Sequence, residues 1–66
     1  MNLQPDETRR VGNFLVDLYS FETAGASPVF AIEALRALST RELGAVTKLV
    51  NPMRIDRLKD AQDSGK

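Results

Sequence analysis

The side chains that could carry out acid–base or nucleophilic chemistry are hydroxyls, carboxylates and lysines, because the chain contains neither histidine nor cysteine. Without histidine, no side chain has an ordinary pKa near neutrality, so a general acid or base would need a strongly shifted carboxylate or lysine. The serines, Ser20, Ser27, Ser39 and Ser64, have no imidazole to activate them as nucleophiles. We therefore predict that the protein is not an enzyme and has no small-molecule substrate.

Ligands for metals and cofactors are equally scarce. Nearly all zinc and transition-metal sites need thiolate or imidazole groups, and no carboxylates have the spacing of a calcium loop. The glycines are isolated along the chain, so they form no phosphate-binding loop. We expect no metal ion and no cofactor, which leaves binding to another macromolecule as the function.

Length and composition favour one small domain spanning residues 1–66. A chain this short buries only about 60% of its unfolded surface, and self-association or docking on a partner would add stability where disulfides are absent. The 42% apolar content is enough for a globular core. No apolar run reaches the roughly 18–20 residues of a membrane span, and the N-terminus does not resemble a secretory signal. We expect a cytoplasmic protein that does not contact membranes.

The apolar spacing predicts an all-α fold, a small compact domain of three to four helices. The helices are predicted near residues 5–22, 28–38, 40–50 and 52–62, with a frayed tail at 63–66. Each helix start has a proline in the first turn or a polar cap, and one glycine is suited to end the first helix. These residues are Pro5, Gly25, Ser27, Pro28, Ser39 with Glu42, Asn51 and Pro52.

Three helices have a predicted inward face, and the second is apolar almost all round. In the second helix Glu33 and Arg36 are the only charged residues, which predicts burial on several sides. The predicted inward residues of the other helices are Val11, Phe14, Leu15, Leu18 and Tyr19 in the first, Leu43, Val46, Leu49 and Val50 in the third, and Ile55, Leu58 and Ala61 in the last.

The surplus apolar surface of the second helix is the first candidate site. Phe30, Ala34 and Ala37 lie on the side away from Ile32 and Leu35, and the small alanines would let another helix approach with Phe30 as an anchor. Two alternatives are burial of both faces within the domain, or a homodimer through this stripe. The wide apolar arc of the first helix could also dock into a partner's groove.

Charge is unevenly distributed along the chain, although the net charge is zero. Residues 1–35 carry two arginines against five carboxylates, and residues 36–59 carry six basic side chains against two acidic ones. We predict a regulatory protein, acting as an adaptor, antagonist or inhibitor, that occupies an apolar groove with an acidic rim on a larger protein. The predicted binding residues beyond the stripe are Met53 and a basic belt of Arg41, Lys48, Arg54 and Arg57.

The alternative function is DNA binding by the last two helices. Two short helices meet at a tight turn around residues 50–52 and follow another helix, so residues 39–58 resemble a helix-turn-helix. The resemblance implies that the helix from residue 52 reads the bases, with Met53, Arg54 and Arg57 nearest to them. Unlike the family pattern, the turn contains no glycine, and two aspartates on the same helix would repel phosphates.

Overall fold

The computed structural model describes residues 3–64, which form four α-helices: α1 Pro5–Ala24, α2 Pro28–Arg36, α3 Thr40–Leu49 and α4 Pro52–Ser64. The predicted all-α class is confirmed. Helix α1 packs against α2 and α3, and α2 also packs against α4. The described part measures 36 × 18 × 17 Å, and α1, its longest helix, rises about 30 Å over its residues.

Three helix ends differ from the predicted positions. Helix α1 continues to Ala24, because Gly25 is the first residue to adopt a left-handed conformation, with φ of 70°. Helix α2 ends at Arg36 rather than near residue 38, and the amide of Leu38 donates to the carbonyl of Leu35, which tightens the last turn. Helix α4 continues to Ser64 rather than ending near residue 62; the predicted fraying of residues 63–66 stays a prediction, and residues 65 and 66 lie outside the described residues.

The predicted helix starts are confirmed at their caps. The Oγ of Ser27 accepts a hydrogen bond from the amide of Val29 at 3.3 Å, and α2 begins with proline. The Oδ1 of Asn51 accepts one from the amide of Met53 at 2.9 Å, and α4 also begins with proline. These side chains satisfy backbone donors that have no partner inside the first turn of a helix.

The core is formed by all four helices and the turn after α2. Phe14 is its largest fully buried side chain. The predicted inward orientation is wrong for two residues: Tyr19 is 63% exposed and Leu49 is 67% exposed. Tyr19 lies about 100° around α1 from the buried Leu18, and Leu49 is the last residue of α3, where the chain turns towards α4. The buried apolar residues are Val11, Phe14, Leu18, Ala31, Ile32, Leu35, Leu38, Val46, Val50, Ile55 and Leu58.

Glu42 is a buried charged residue, with 1% of its surface exposed. Its Oε1 accepts a hydrogen bond from the amide of Ser39 at 2.8 Å, and the Oγ of Ser39 accepts one from the amide of Glu42, which completes the predicted capping box. Its Oε2 accepts a further bond from Nε of Arg10 in α1 at 2.6 Å. The hydrogen bond from the Ser39 amide and the Arg10 guanidinium lower the pKa of Glu42, so the ionised carboxylate joins the start of α3 to α1.

We expect Glu42 to make the stability of the protein sensitive to acid. Its pKa in the folded protein lies below the ordinary value of 4.5, so its stabilising contribution is present above that value and is lost as the pH falls through the lowered pKa. The melting temperature followed by circular dichroism should therefore fall as the pH is lowered below about 4.5. Glu42→Gln should melt lower at pH 7 and depend less on acid, with Glu33→Gln as the exposed control. An unchanged acid dependence in Glu42→Gln would contradict the role given to this carboxylate.

We expect the core to tolerate truncation poorly at Phe14. Phe14→Ala should cost about 3–5 kcal/mol, because it leaves a cavity in the centre of a small core. Leu49→Ala, at an exposed position, should change stability by less than about 0.5 kcal/mol. Urea unfolding of both variants measures the difference, and equal losses would show that the core is centred elsewhere.

Candidate protein-binding surface

The outward side of α2 presents apolar side chains to solvent. Phe30 is 63% exposed, and Val29 and Ala37 are also exposed. The predicted alternative of burial on both faces is therefore wrong at Phe30. Ala34 is half-buried and packs against the core, so it contributes less of the stripe than expected. The opposite face of α2 is occupied by the core, which leaves Phe30 as the large side chain of the predicted stripe.

The charged residues of α2 border this stripe on one side. Glu33 and Arg36 are both exposed. Arg36 also lines a shallow groove between α2 and α4, together with Lys59 and Asp63. The charged groups near Phe30 on its own helix are therefore one carboxylate, that of Glu33, and one guanidinium, that of Arg36.

Two residues of the predicted basic belt are ion-paired to α1. Arg54 donates from Nε to Oε2 of Glu22 at 2.9 Å and from Nη2 to Oε1 of the same carboxylate. This hydrogen bonding lowers the pKa of Glu22 and raises the pKa of Arg54. Nε of Arg41 lies 3.7 Å from Oε2 of Glu7. The charges of Arg54 and Arg41 are thus partly neutralised within the molecule, and neither ion pair involves α2.

The remaining predicted residues lie on α3 and α4. Lys48 is exposed beside Leu49 on a shallow groove of α3. Arg57 is exposed beside Phe21, close to the ion pair of α4 with α1. Met53 is 59% exposed in the first turn of α4. The predicted residues therefore fall on at least two surfaces, the α2 stripe and the end of α3 with the start of α4.

The outward side of α4 carries more negative than positive charge. Because phosphates are repelled by carboxylates, this composition opposes the approach of a DNA backbone. Arg54, which the helix-turn-helix resemblance placed near the bases, is instead bound to Glu22. The exposed ionisable residues of α4 are Asp56, Asp60 and Asp63 against Arg57 and Lys59.

A second exposed apolar pair lies on α1 and was not predicted. Val16 is 64% exposed, and Tyr19, three residues on, is similarly exposed. The position of Val16 was a signal for this surface, because it lies on the opposite side of the helix from Phe14 and Leu18. The ion pairs of α1 had no such signal, since their partners are at least 32 residues away in the sequence.

Within residues 3–64, no three acidic side chains are grouped to hold a metal ion, and none of the helices combines the length and hydropathy that a bilayer crossing demands. Comparisons with protein-family profiles, curated proteins and solved structures gave no match to this chain.

We expect the pKa of Glu22 to report its pairing with Arg54. In Arg54→Ala the Glu22 carboxyl loses its main stabilising hydrogen bonds, so its pKa should rise towards the ordinary 4.5. Arg57→Ala, the control, removes only a weaker electrostatic influence and should raise the pKa less. Side-chain carboxyl titration by NMR measures both, and an equal effect of the two substitutions would contradict the ion pair.

Proposed function

We propose that this chain is a non-enzymatic regulatory protein that binds a larger protein through the outward face of α2. The observation that carries the proposal is the exposure of Phe30, a large aromatic side chain on a helix whose other face is committed to the core. Aromatic anchors of this kind supply much of the affinity of protein interfaces. The small side chain of Ala37, two turns further along the same side, allows a partner's backbone to approach closely.

The partner we propose has an apolar pocket for Phe30 and charges of both signs around it. Glu33 and Arg36 are the charged residues of α2, and each would meet its opposite on the rim of the pocket. The sequence predicted a partner groove with a purely acidic rim, because the basic belt was expected to face it. Because Arg41 and Arg54 are paired with glutamates of α1, a mixed rim fits the surroundings of α2 better.

DNA binding is the second candidate, favoured by the short connection between α3 and α4 and by the Asn51 cap at the start of α4. The carboxylates on the outward side of α4 weigh against it. We expect fluorescence anisotropy to give a Kd no tighter than about 10⁻⁴ M for duplex DNA at physiological salt, which is the weak end of non-specific binding. A Kd that is tighter by tenfold or more, and that Arg57→Ala weakens, would favour the DNA reading.

We expect Phe30→Asp to abolish capture of the protein partner. Burying a phenylalanine contributes about 1.5–3 kcal/mol, so its replacement by a charged residue should weaken binding by more than about tenfold. Leu49→Asp is the matched control, since Leu49 is similarly exposed on α3. Tagged wild-type and variant proteins are used to capture partners from a lysate of the source organism, with and without nuclease, and the bound proteins are quantified by mass spectrometry.

Three results would contradict the proposal: a partner retained by folded Phe30→Asp, a partner lost equally from Leu49→Asp, or a partner released by nuclease. Circular dichroism of each variant shows whether the helices are intact. Because both substituted side chains are mostly exposed, we expect both variants to fold.

A further inference from the structure

Gly12 is a glycine in the interior of α1 that the fold itself does not require. Glycine is among the least favourable residues inside a helix, because it loses the most backbone freedom on folding. Among the described residues only Gly25 has a positive φ, so Gly12 is not needed for an unusual backbone conformation. A Cβ added at Gly12 would meet no heavy atom within 4 Å. The absence of a side chain at this position leaves open space on the outside of the molecule.

This open space lies in an uncharged face of α1. At 100° per residue the face covers an arc of about 100° around the helix, and its midline lies between Gly12 and Tyr19. Val16 and Tyr19 are its large exposed side chains, and no residue that is charged at neutral pH falls within the arc. The α1 face, as we call it, consists of Thr8, Gly12, Leu15, Val16, Tyr19 and Thr23.

The other internal glycine of a helix lacks such surroundings. Gly44 in α3 also has open space where its Cβ would be. Its neighbours one turn away are Thr40, Arg41, Thr47 and Lys48, all polar and exposed. Of these two glycines, Gly12 is therefore the one whose open space lies next to exposed apolar side chains.

We propose that the α1 face binds the α1 face of a second copy of this chain, with the two helices antiparallel and related by a two-fold axis. An axis that passes between Leu15 and Val16 brings Tyr19 opposite the partner's Gly12, because both lie equally far from the axis along the helix. Both residues also lie within about 10° of the midline of the face. Each tyrosine ring then occupies the space that the other copy's glycine leaves open, and the symmetry makes this contact twice.

Charge favours this antiparallel arrangement. Arg9, at the border of the face, comes level with the C-terminal end of the partner's α1, where the helix dipole is negative. The last turn of α1 has no basic residue of its own, so a second copy would supply one. A parallel arrangement would place the two Arg9 side chains at the same level, where they would repel each other.

The area of the face indicates a weak dimer. From Thr8 to Thr23 the helix rises about 22 Å. A helix-to-helix contact of that length buries on the order of 400–500 Å² per subunit, close to the lower limit of about 1,000 Å² in total for specific interfaces. We therefore expect a dissociation constant in the micromolar range or weaker. The outward side of α2 plays no part in this contact, so the dimer does not depend on the proposed function.

Sedimentation equilibrium over about 5–500 µM protein tests the proposal, because that range includes micromolar dissociation constants. The wild-type mass should rise from 7.3 kDa towards twice that value. Gly12→Leu should keep or increase the thermal stability of the monomer, since leucine is a better helix former and its Cβ meets no heavy atom within 4 Å. The same side chain should block the partner's tyrosine and weaken dimerisation at least tenfold. Gly44→Leu, the matched control on α3, should dimerise like the wild type.

Tyr19 gives a second measurement, because it is the only tyrosine of a chain without tryptophan. Quenching of its fluorescence by acrylamide should decrease as wild-type concentration rises, and should not change with concentration in Gly12→Leu. A wild-type mass of 7.3 kDa at the highest concentration would overturn the proposal. Unimpaired dimerisation of Gly12→Leu would also overturn it, and so would a dimer that Phe30→Asp abolishes while Gly12→Leu leaves it intact.

Discussion

The placement of α3 depends on the carboxylate of Glu42. A buried charge must be fully bonded, because one left without partners costs several kcal/mol. Here one oxygen is bonded to the first turn of its own helix and the other to Arg10 of α1. A shift of α3 along α1 would break one of these bonds and leave the charge unpaired. Glu42 therefore fixes where α3 begins through the capping box, and it fixes which part of α1 the helix contacts through its bond to Arg10.

The same long helix determines which charges remain available for binding. The Glu22–Arg54 pair joins α1 to the start of α4, as the Arg10–Glu42 pair joins it to the start of α3. Two cations that the sequence alone presents as part of a basic belt, Arg54 and Arg41, are paired with Glu22 and Glu7 of α1. The outward side of α2 has no such ion pair among the described contacts, and its exposed residues are mostly apolar. The proposal of binding through apolar contact rests on this use of the charges elsewhere in the fold.

The parts of the structure that the sequence predicts are those with local causes. Ser27, Ser39 and Asn51 cap helices within three residues of themselves, and Gly25 ends α1 through its own backbone conformation. The errors occur where a distant element decides the outcome. Whether Tyr19 is buried depends on which side of α1 the other helices cover, and no periodicity contains that information. For the candidate site, the sequence left the exposure of Phe30 open, because α2 is apolar almost all round, and the pairing of Arg54 depended on a residue 32 positions away.

Two of the ion pairs of α1 with the later helices, Arg10–Glu42 and Glu22–Arg54, span 32 residues, which has a consequence for the order of events during translation. Residues 10 and 22 leave the ribosome roughly 2–6 s before their partners, at 5–20 residues per second. During that interval α1 can pack against α2 but not against the later helices, so part of its core-facing surface stays uncovered. Packing of α1 cannot be completed until residue 54 has emerged, so its contacts with α3 and α4 form after its contacts with α2. The four helices therefore reach their native packing as one unit, once α4 has emerged.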